Sequence, residues 1–333
     1  MRPTIKDVAR EASVSVATVS RIVNGLPGYS EATRRKVAEV IQELGYKPNA
    51  VARNLVNRKT NTIGVLLPQL SSSFSAKLLH GIEKVAQEHQ YSVIICNTDS
   101  NGKRTMDYLN LLREKQVEGI LFASEHLNED YYEAIAAMDI PVLAVDAHSD
   151  YETIPFIKVN DEEAAYAAAN YLIQKGHKSI GMISGTKDDP ISGAPRVKGF
   201  LKALAEHDIL PEPNLIEYGD FGFKSGYEAM GRLLKKNPYL TAVFAASDEM
   251  ALGIFSFCYE KGISIPADLS VIGYDDTQVA EMSTPPLTTI HQPIEKMGVD
   301  AAESLIKLIK NEPVESKYVP FSLMERDSVI NLK

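Results

Sequence analysis

The run Val16-Ala17-Thr18-Val19-Ser20-Arg21 gathers side chains that suit the edges of base pairs. Val16 and Ala17 are small apolar groups that can touch a thymine methyl, and Arg21 can grip O6 and N7 of a guanine. Thr18, Ser20 and Asn24 are short donors suited to phosphate, which fixes register without carrying sequence information. A second set lies far down the chain: Asp146, Arg196, Phe221, Ser247 and Asp275. That mixture suits a polyol. A carboxylate accepts from adjacent hydroxyls, an arginine fork donates to ring or hydroxyl oxygens, and an aromatic ring covers an apolar sugar face. Neither set is a catalytic constellation. The chain has no GxxxxGK[ST] phosphate loop and no GxSxG elbow. Its histidines, at 80, 89, 126, 148, 177, 207 and 291, show no HExxH or paired-ligand spacing. An enzyme is not expected, and no cofactor or metal is implied.

The first set needs a helix with an exposed start. Thr4 is placed to cap a first helix, with Asp7 completing a capping box and Ile5, Val8, Ala9 and Ala12 at helical spacing. Ser13-Val14-Ser15 makes a turn, and Ser15 caps a second helix from Val16 to Val23 that Asn24-Gly25 ends. Its inward face is Val19 with Ile22 or Val23. Ser30 caps a third helix, with Thr33 in its first turn, Val37, Val40, Ile41 and Leu44 on one face, and Gly45 at its end. Two short helices joined by a three-residue turn, with a third packed behind, form a helix-turn-helix that sets its second helix in a major groove. A plain three-helix packing domain would show the same caps. Charge separates the two readings. The whole chain is −9, yet residues 1–60 hold eleven Lys or Arg against five Asp or Glu, a balance of +6, and the other 273 residues sum to −15. A basic head on an acidic body fits one domain that meets a polyanion and one that does not.

The second set needs strands that end where a ligand can sit. From Thr62 onward, strand-like runs alternate with helix-period segments. The strands are expected at Ile63–Leu67, Val93–Cys96, Ile120–Ala123, Val142–Val145, Ile157–Val159, Ile180–Ile183, Leu215–Tyr218, Ala242–Ala245 and Val271–Tyr274. This is parallel, doubly wound α/β architecture, and some 270 residues predict two lobes. Ligands in such sheets bind beyond the carboxyl ends of strands. Asp146 follows one strand end, Asp275 and Asp276 another, and Ser247-Asp248 a third. Arg196 sits near the start of the helix after Ile180–Ile183, and Phe221 lies beyond Tyr218. Aspartates at strand ends are often helix N-caps, and Asp161 and Asp248 are assigned that role. Gly226-Tyr227-Glu228 and similar glycine sites read as helix starts or turns. Cys96 and Cys258 lie in apolar stretches and read as buried, reduced cysteines of a cytoplasmic protein. No apolar run reaches the length of a membrane span, and the N-terminus has no secretory h-region.

The run TIKDVAREASVSVATVSRIVNG, Thr4 to Gly25, resembles the opening of the lac repressor family, also called LacI/GalR. SEATRRKVAEVIQELGYKPNAVARNL, NTIGVLLP, SDEMALG and VIGYDD follow in register, so the resemblance covers essentially the whole chain. It implies an all-α helix-turn-helix head and an α/β body of two doubly wound parallel-sheet lobes of the periplasmic-binding-protein type. It implies a head at 1–45, a hinge at 46–60 and a body at 61–333. The lobe nearest DNA would be 61–160 with 292–320, and the distal lobe 161–291 with 321–333. The chain would cross between lobes near Asn160, His291 and Phe321.

The residue-by-residue match adds roles. Asp146, Arg196, Phe221, Ser247, Asp275 and Gln292 fall at positions that sugar-responsive members use, and Phe74, in the SSSFS loop, is placed on the opposite wall. Thr4, Ser15, Ser30 and Thr33 join the second helix as DNA-contact candidates. In the hinge, Asn49 can cap a helix from Ala50 to about Val56, too short to stand alone in water. The family wedges a leucine into the minor groove there. Leu55 holds that position, with Ala52 one turn earlier and Arg53 in reach of phosphate.

The resemblance implies a regulator, a repressor first of all, that binds a pseudo-palindromic operator as a homodimer and is switched by a small sugar or polyol between its lobes. The chain shows no C-terminal leucine heptad, so a dimer rather than a tetramer is expected. The alternative within the family is a catabolite-control-type regulator switched by a phosphorylated carrier protein. That subgroup expects a basic residue where Glu303 stands. A solute-binding protein without a DNA role is the alternative of another class.

Overall fold

The computed structural model describes residues 3–46, 60–99, 103–209 and 214–333. Asn49, Ala52, Arg53 and Leu55 lie outside them. The chain divides into two compact units, Met1–Thr60 and Asn61–Lys333.

The first unit holds helices α1 (Ile5–Glu11), α2 (Val16–Val23) and α3 (Glu31–Leu44). Asp7 accepts from the Thr4 backbone N–H at 2.9 Å and from its hydroxyl at 2.7 Å. Ser15 accepts from the N–H of Thr18, and Ser30 from that of Thr33. Gly45 ends α3 at φ 62°, a left-handed conformation that glycine adopts without penalty. Val8, Ala9, Ala12, Val19, Val37 and Val40 form the core, with Ile22 and Val23 both packed on it.

The second unit contains two six-stranded sheets. One is β1 (Thr62–Leu67), β2 (Ser92–Asn97), β3 (Gly119–Ala123), β4 (Val142–Val145), β5 (Phe156–Val159) and β11 (Lys317–Val319), in the order β11-β5-β4-β3-β1-β2. The other is β6 (Ile180–Ser184), β7 (Ile216–Tyr218), β8 (Ala242–Ala245), β9 (Ser270–Asp275), β10 (Thr288–His291) and β12 (Ser322–Met324), in the order β12-β10-β9-β8-β6-β7. Every pairing is parallel except β10 with β12. The chain passes between sheets after β5, after β10 and after β11. The strands β10, β11 and β12 were not expected from sequence. Each spans four residues or fewer, too short to show an alternation; β11 and β12 are edge strands and β10 lies next to an edge.

The helices relevant to the site are α4 (Ser73–Glu88), α5 (Thr105–Glu114), α6 (Glu129–Ala136), α7 (Asp161–Gln174), α8 (Gly193–Glu206), α9 (Phe223–Lys236), α10 (Asp248–Lys261), α11 (Gln278–Met282) and α12 (Ile294–Ile309). Gly226 lies in the first turn of α9, as a helix-start reading expects, and a Cβ there would sit 2.4 Å from the Met250 carbonyl of α10. It also permits a close helix crossing, which the sequence reading did not foresee. Cys96 and Cys258 are both buried and free. Among the described residues no helix is long and apolar enough to cross a membrane, and no cluster of His, Cys, Asp and Glu is set to hold a metal.

Candidate functional site

The N-terminal unit presents α2. Val16 is 41% exposed, and Ala17 and Arg21 are exposed beside it. Val19, on the opposite face, is fully buried. Thr18, Ser20 and Asn24 are half-buried. The Thr18 and Thr33 hydroxyls each lie 2.8 Å from the hydroxyl of the cap before them, and Thr4 is spent on its capping box. Of the short polar candidates these five, Thr4, Ser15, Thr18, Ser30 and Thr33, are therefore part of the helix starts as well. Arg21 lies over Gly28, where a Cβ would come 3.0 Å from the guanidinium.

In the body, a cavity of about 390 Å³ opens between the carboxyl ends of the two sheets. It is lined by Phe74, Asp146, Arg196, Phe221, Ser247 and Asp275, six of the seven positions expected there. Gln292 lines no part of it. Its amide donates to Asp275 Oδ1 at 2.8 Å from behind, so it positions that carboxylate. Phe74 is not in a loop. Ser72 caps α4, and Phe74 stands in its first turn.

Arg196 is 3% exposed. Its Nε donates to Asp161 at 2.8 Å, Nη1 to the Ala246 carbonyl at 2.6 Å, and the guanidinium lies 3.7 Å from the Tyr274 ring centroid. Asp161 also pairs with buried Lys158 at 2.9 Å. Burial works against the Arg196 charge, but Asp161, Tyr274, Asp275 and Asp146 outweigh it and hold its pKa above the usual value. Asp161 is thus not an N-cap. Asn160 caps α7, and Asp161 at the first helical position serves as the arginine's counter-ion. Asp248 is not a cap either. Ser247 caps α10, while Asp248 accepts from the Thr277 N–H and from the Thr277 and Thr289 hydroxyls. Ser247 also donates to the Phe221 carbonyl at 2.7 Å, so both its bonds are structural.

Asp146 accepts from Ser124 at 2.7 Å through Oδ2, and its buried Oδ1 has no protein partner. Burial, with Asp161 nearby, pushes the Asp146 carboxyl up to about 6. Burial likewise drives Asp275 well above the carboxylate range, with Asp248 and Asp146 adding to it. Asp146, Phe221, Asp275 and Ser124 take φ values of 50°, 66°, 113° and 53°. Non-glycine residues avoid this region, and several at one cavity mark strain held by the surrounding structure.

The Phe221 ring rests on Gly185, where a Cβ would lie 1.9 Å from it. Sequence reading missed Gly185. It missed Glu125, which accepts from Thr98 and Thr105, and Glu249, which accepts from the Ser73 N–H of the other lobe at 2.9 Å. Lys77 makes a second bridge between lobes, to the Asp276 carbonyl at 2.8 Å. None of these had a sequence signal, because each partner lies many residues away.

A pH experiment tests the Asp146 environment. The folded state keeps a proton on Asp146 that the unfolded state loses, over a window from the ordinary 3.8 up to about 6. Stability therefore falls as pH rises through that window. Relative to Asp146→Asn, the native protein should lose up to about 3 kcal/mol between pH 4 and pH 7. Parallel denaturant melts of the two proteins check this; a constant difference across the range counts against it.

Comparison with known proteins places this geometry. A model of periplasmic binding proteins and the sugar binding domain of the LacI family matches residues 60–326, and one of bacterial regulatory proteins of the lacI family matches residues 4–49. Catabolite control protein A of Priestia megaterium is 42% identical over 319 residues, covering 96% of each chain. The lac repressor dimer bound to operator and the anti-inducer ONPF superposes with a TM-score of 0.89 at 29% identity, over 99% of this chain and 100% of that one. The complex of the transcriptional regulator CelR with cellobiose gives 0.75 at 31% identity, over 98% and 100%.

Proposed function

The chain belongs to the LacI family of bacterial regulatory proteins, and from that membership we propose a homodimeric repressor whose operator binding is switched by a small polyol in the interlobe cavity. It is a DNA-binding transcriptional regulator, and its relatives are regulators rather than enzymes. Its place of work is the bacterial cytoplasm, where the operator is.

One observation carries the effector reading. Asp146 from one sheet and Arg196, Phe221 and Asp275 from the other converge on one cavity. A ligand joining them would draw the lobes together. The strand β1 directly follows the hinge at 46–60, so lobe closure changes what the hinge is attached to. The hinge helix expected from sequence at Ala50 to about Val56 lies outside the described residues; a helix that short would be a bistable element that such a change can bias. A coupling of about 1–3 kcal/mol alters operator affinity roughly 5- to 150-fold. Asp275→Ala should remove the response to ligand and leave ligand-free operator affinity near wild type, because its side chain lies in the cavity. Mobility-shift titrations with and without effector test this. A normal response in both Asp275→Ala and Arg196→Ala would put the effector elsewhere.

On the DNA side, one head reads half an operator and its dimer mate the other. Arg21→Ala should relax specificity at one base pair per half-site, at a cost of about 1–3 kcal/mol. Binding to an operator series substituted at each position checks it, and uniform weakening at all positions would make Arg21 a phosphate contact instead.

The likeness to catabolite control protein A favours a second reading, control by a phosphorylated carrier protein. Glu303 is exposed on α12, and an acidic residue there repels an acidic partner. Carrier-dependent operator binding that survives Asp275→Ala would favour this second reading.

A further inference from the structure

The cavity's electrostatics bear on the charge of its occupant. Eight of its lining side chains are Asp or Glu, against two Lys or Arg. Of those two, Arg196 is committed to Asp161, the Ala246 carbonyl and the Tyr274 ring. Lys187 is exposed at the rim.

A helix N-terminus is the usual backbone site for an anion. Among the described residues, four helices of eight or more residues start at this cavity, and at each of these starts oxygens of the chain itself accept from backbone N–H groups; the five-residue α11, whose Thr277 also lines the cavity, has no side-chain cap. At α4, Ser72 accepts from the Ser75 N–H at 3.1 Å and Glu249 from that of Ser73. At α8, Asp189 accepts from the N–H groups of Ile191, Ser192 and Gly193 at 3.0, 3.1 and 2.8 Å. At α6 and α10, Asn128 and Ser247 do the same for Tyr131 and Met250. Among the described residues the cavity therefore offers a phosphate no buried cation that is not already paired with a carboxylate and, at these four helices, no uncapped start. It does offer an acceptor. Asp146 is 5% exposed, lines the cavity, and its Oδ1 has no partner in the protein. A buried carboxylate oxygen in that state is satisfied by a donor, and hydroxyl and ammonium groups are donors.

We infer that the cleft takes a donor-rich ligand without negative charge, an unphosphorylated polyol or amino sugar, and excludes the phosphate esters of the same skeleton. This rests on the reading of the cleft as the effector site.

Calorimetric titration of the full-length protein tests it with matched sets: glucose, glucosamine and glucose 6-phosphate; ribose and ribose 5-phosphate; galactose, galactosamine and galactose 1-phosphate. In any set that binds, the ester should be weaker than the neutral or aminated member by at least about tenfold, since like charges brought together in a desolvated site are strongly disfavoured. An ester that binds as tightly as its parent sugar overturns the inference and leaves the effector-site reading standing. Failure of every compound to bind overturns the effector-site reading itself, and the inference with it.

Discussion

Replacing Arg196 with methionine is expected to abolish the effector response and to lower the melting temperature by on the order of 10 °C. Both effects follow from one side chain with two duties. Arg196 lines the cavity, and it also neutralises buried Asp161 at 2.8 Å. Removing one partner of a buried pair strands the other charge, at a cost of about 3–5 kcal/mol. In a body of this size each kcal/mol shifts the melting temperature by about 2–4 °C. The Lys158 contact at 2.9 Å remains and keeps the loss toward the lower end. A double variant, Arg196→Met with Asp161→Asn, should recover much of the stability and none of the response. Calorimetry with operator titrations separates the two duties. A stable Arg196→Met protein that still answers its effector would show that the arginine serves neither.

Operator affinity should fall about 10³- to 10⁵-fold between 50 and 200 mM salt, the range for a protein that makes 6–10 phosphate contacts. The basis is the +6 balance of residues 1–60, doubled in a dimer, on a body whose own balance of −15 repels DNA. Counterion release is set by the phosphates neutralised and not by net charge, so an overall −9 does not weaken the dependence. Operator titrations across that salt range measure the slope. A flat line would mean that the head meets no phosphate.

Much of this protein was legible from local signals. The head could be read almost residue by residue. Capping serines, an apolar face and a terminal glycine are all encoded within four residues of where they act, and Ser15, Ser30 and Gly45 act as their types dictate. The buried strands of the body were also legible, since parallel strands covered on both faces are continuous apolar runs. Strand ends then pointed to Asp146 and Asp275, because the carboxyl-end rule depends only on where a run stops.

The sequence did not reveal what each polar group at those ends was bonded to. Asp161 and Asp248 look alike, each an aspartate in the first turn of a helix, and local reading made caps of both. Packing made one the counter-ion of Arg196, 35 residues away, and the other an acceptor for Thr277 and Thr289. Short edge strands such as β11 exist only because a neighbour supplies their hydrogen bonds. A cap or an apolar run is a property of a few adjacent residues, and the sequence determined it. The partner of a buried charge, the glycine under Phe221 and the unpaired oxygen of Asp146 depend on chain segments far apart in sequence that meet only when the sheets have formed, so the tertiary structure alone decided them.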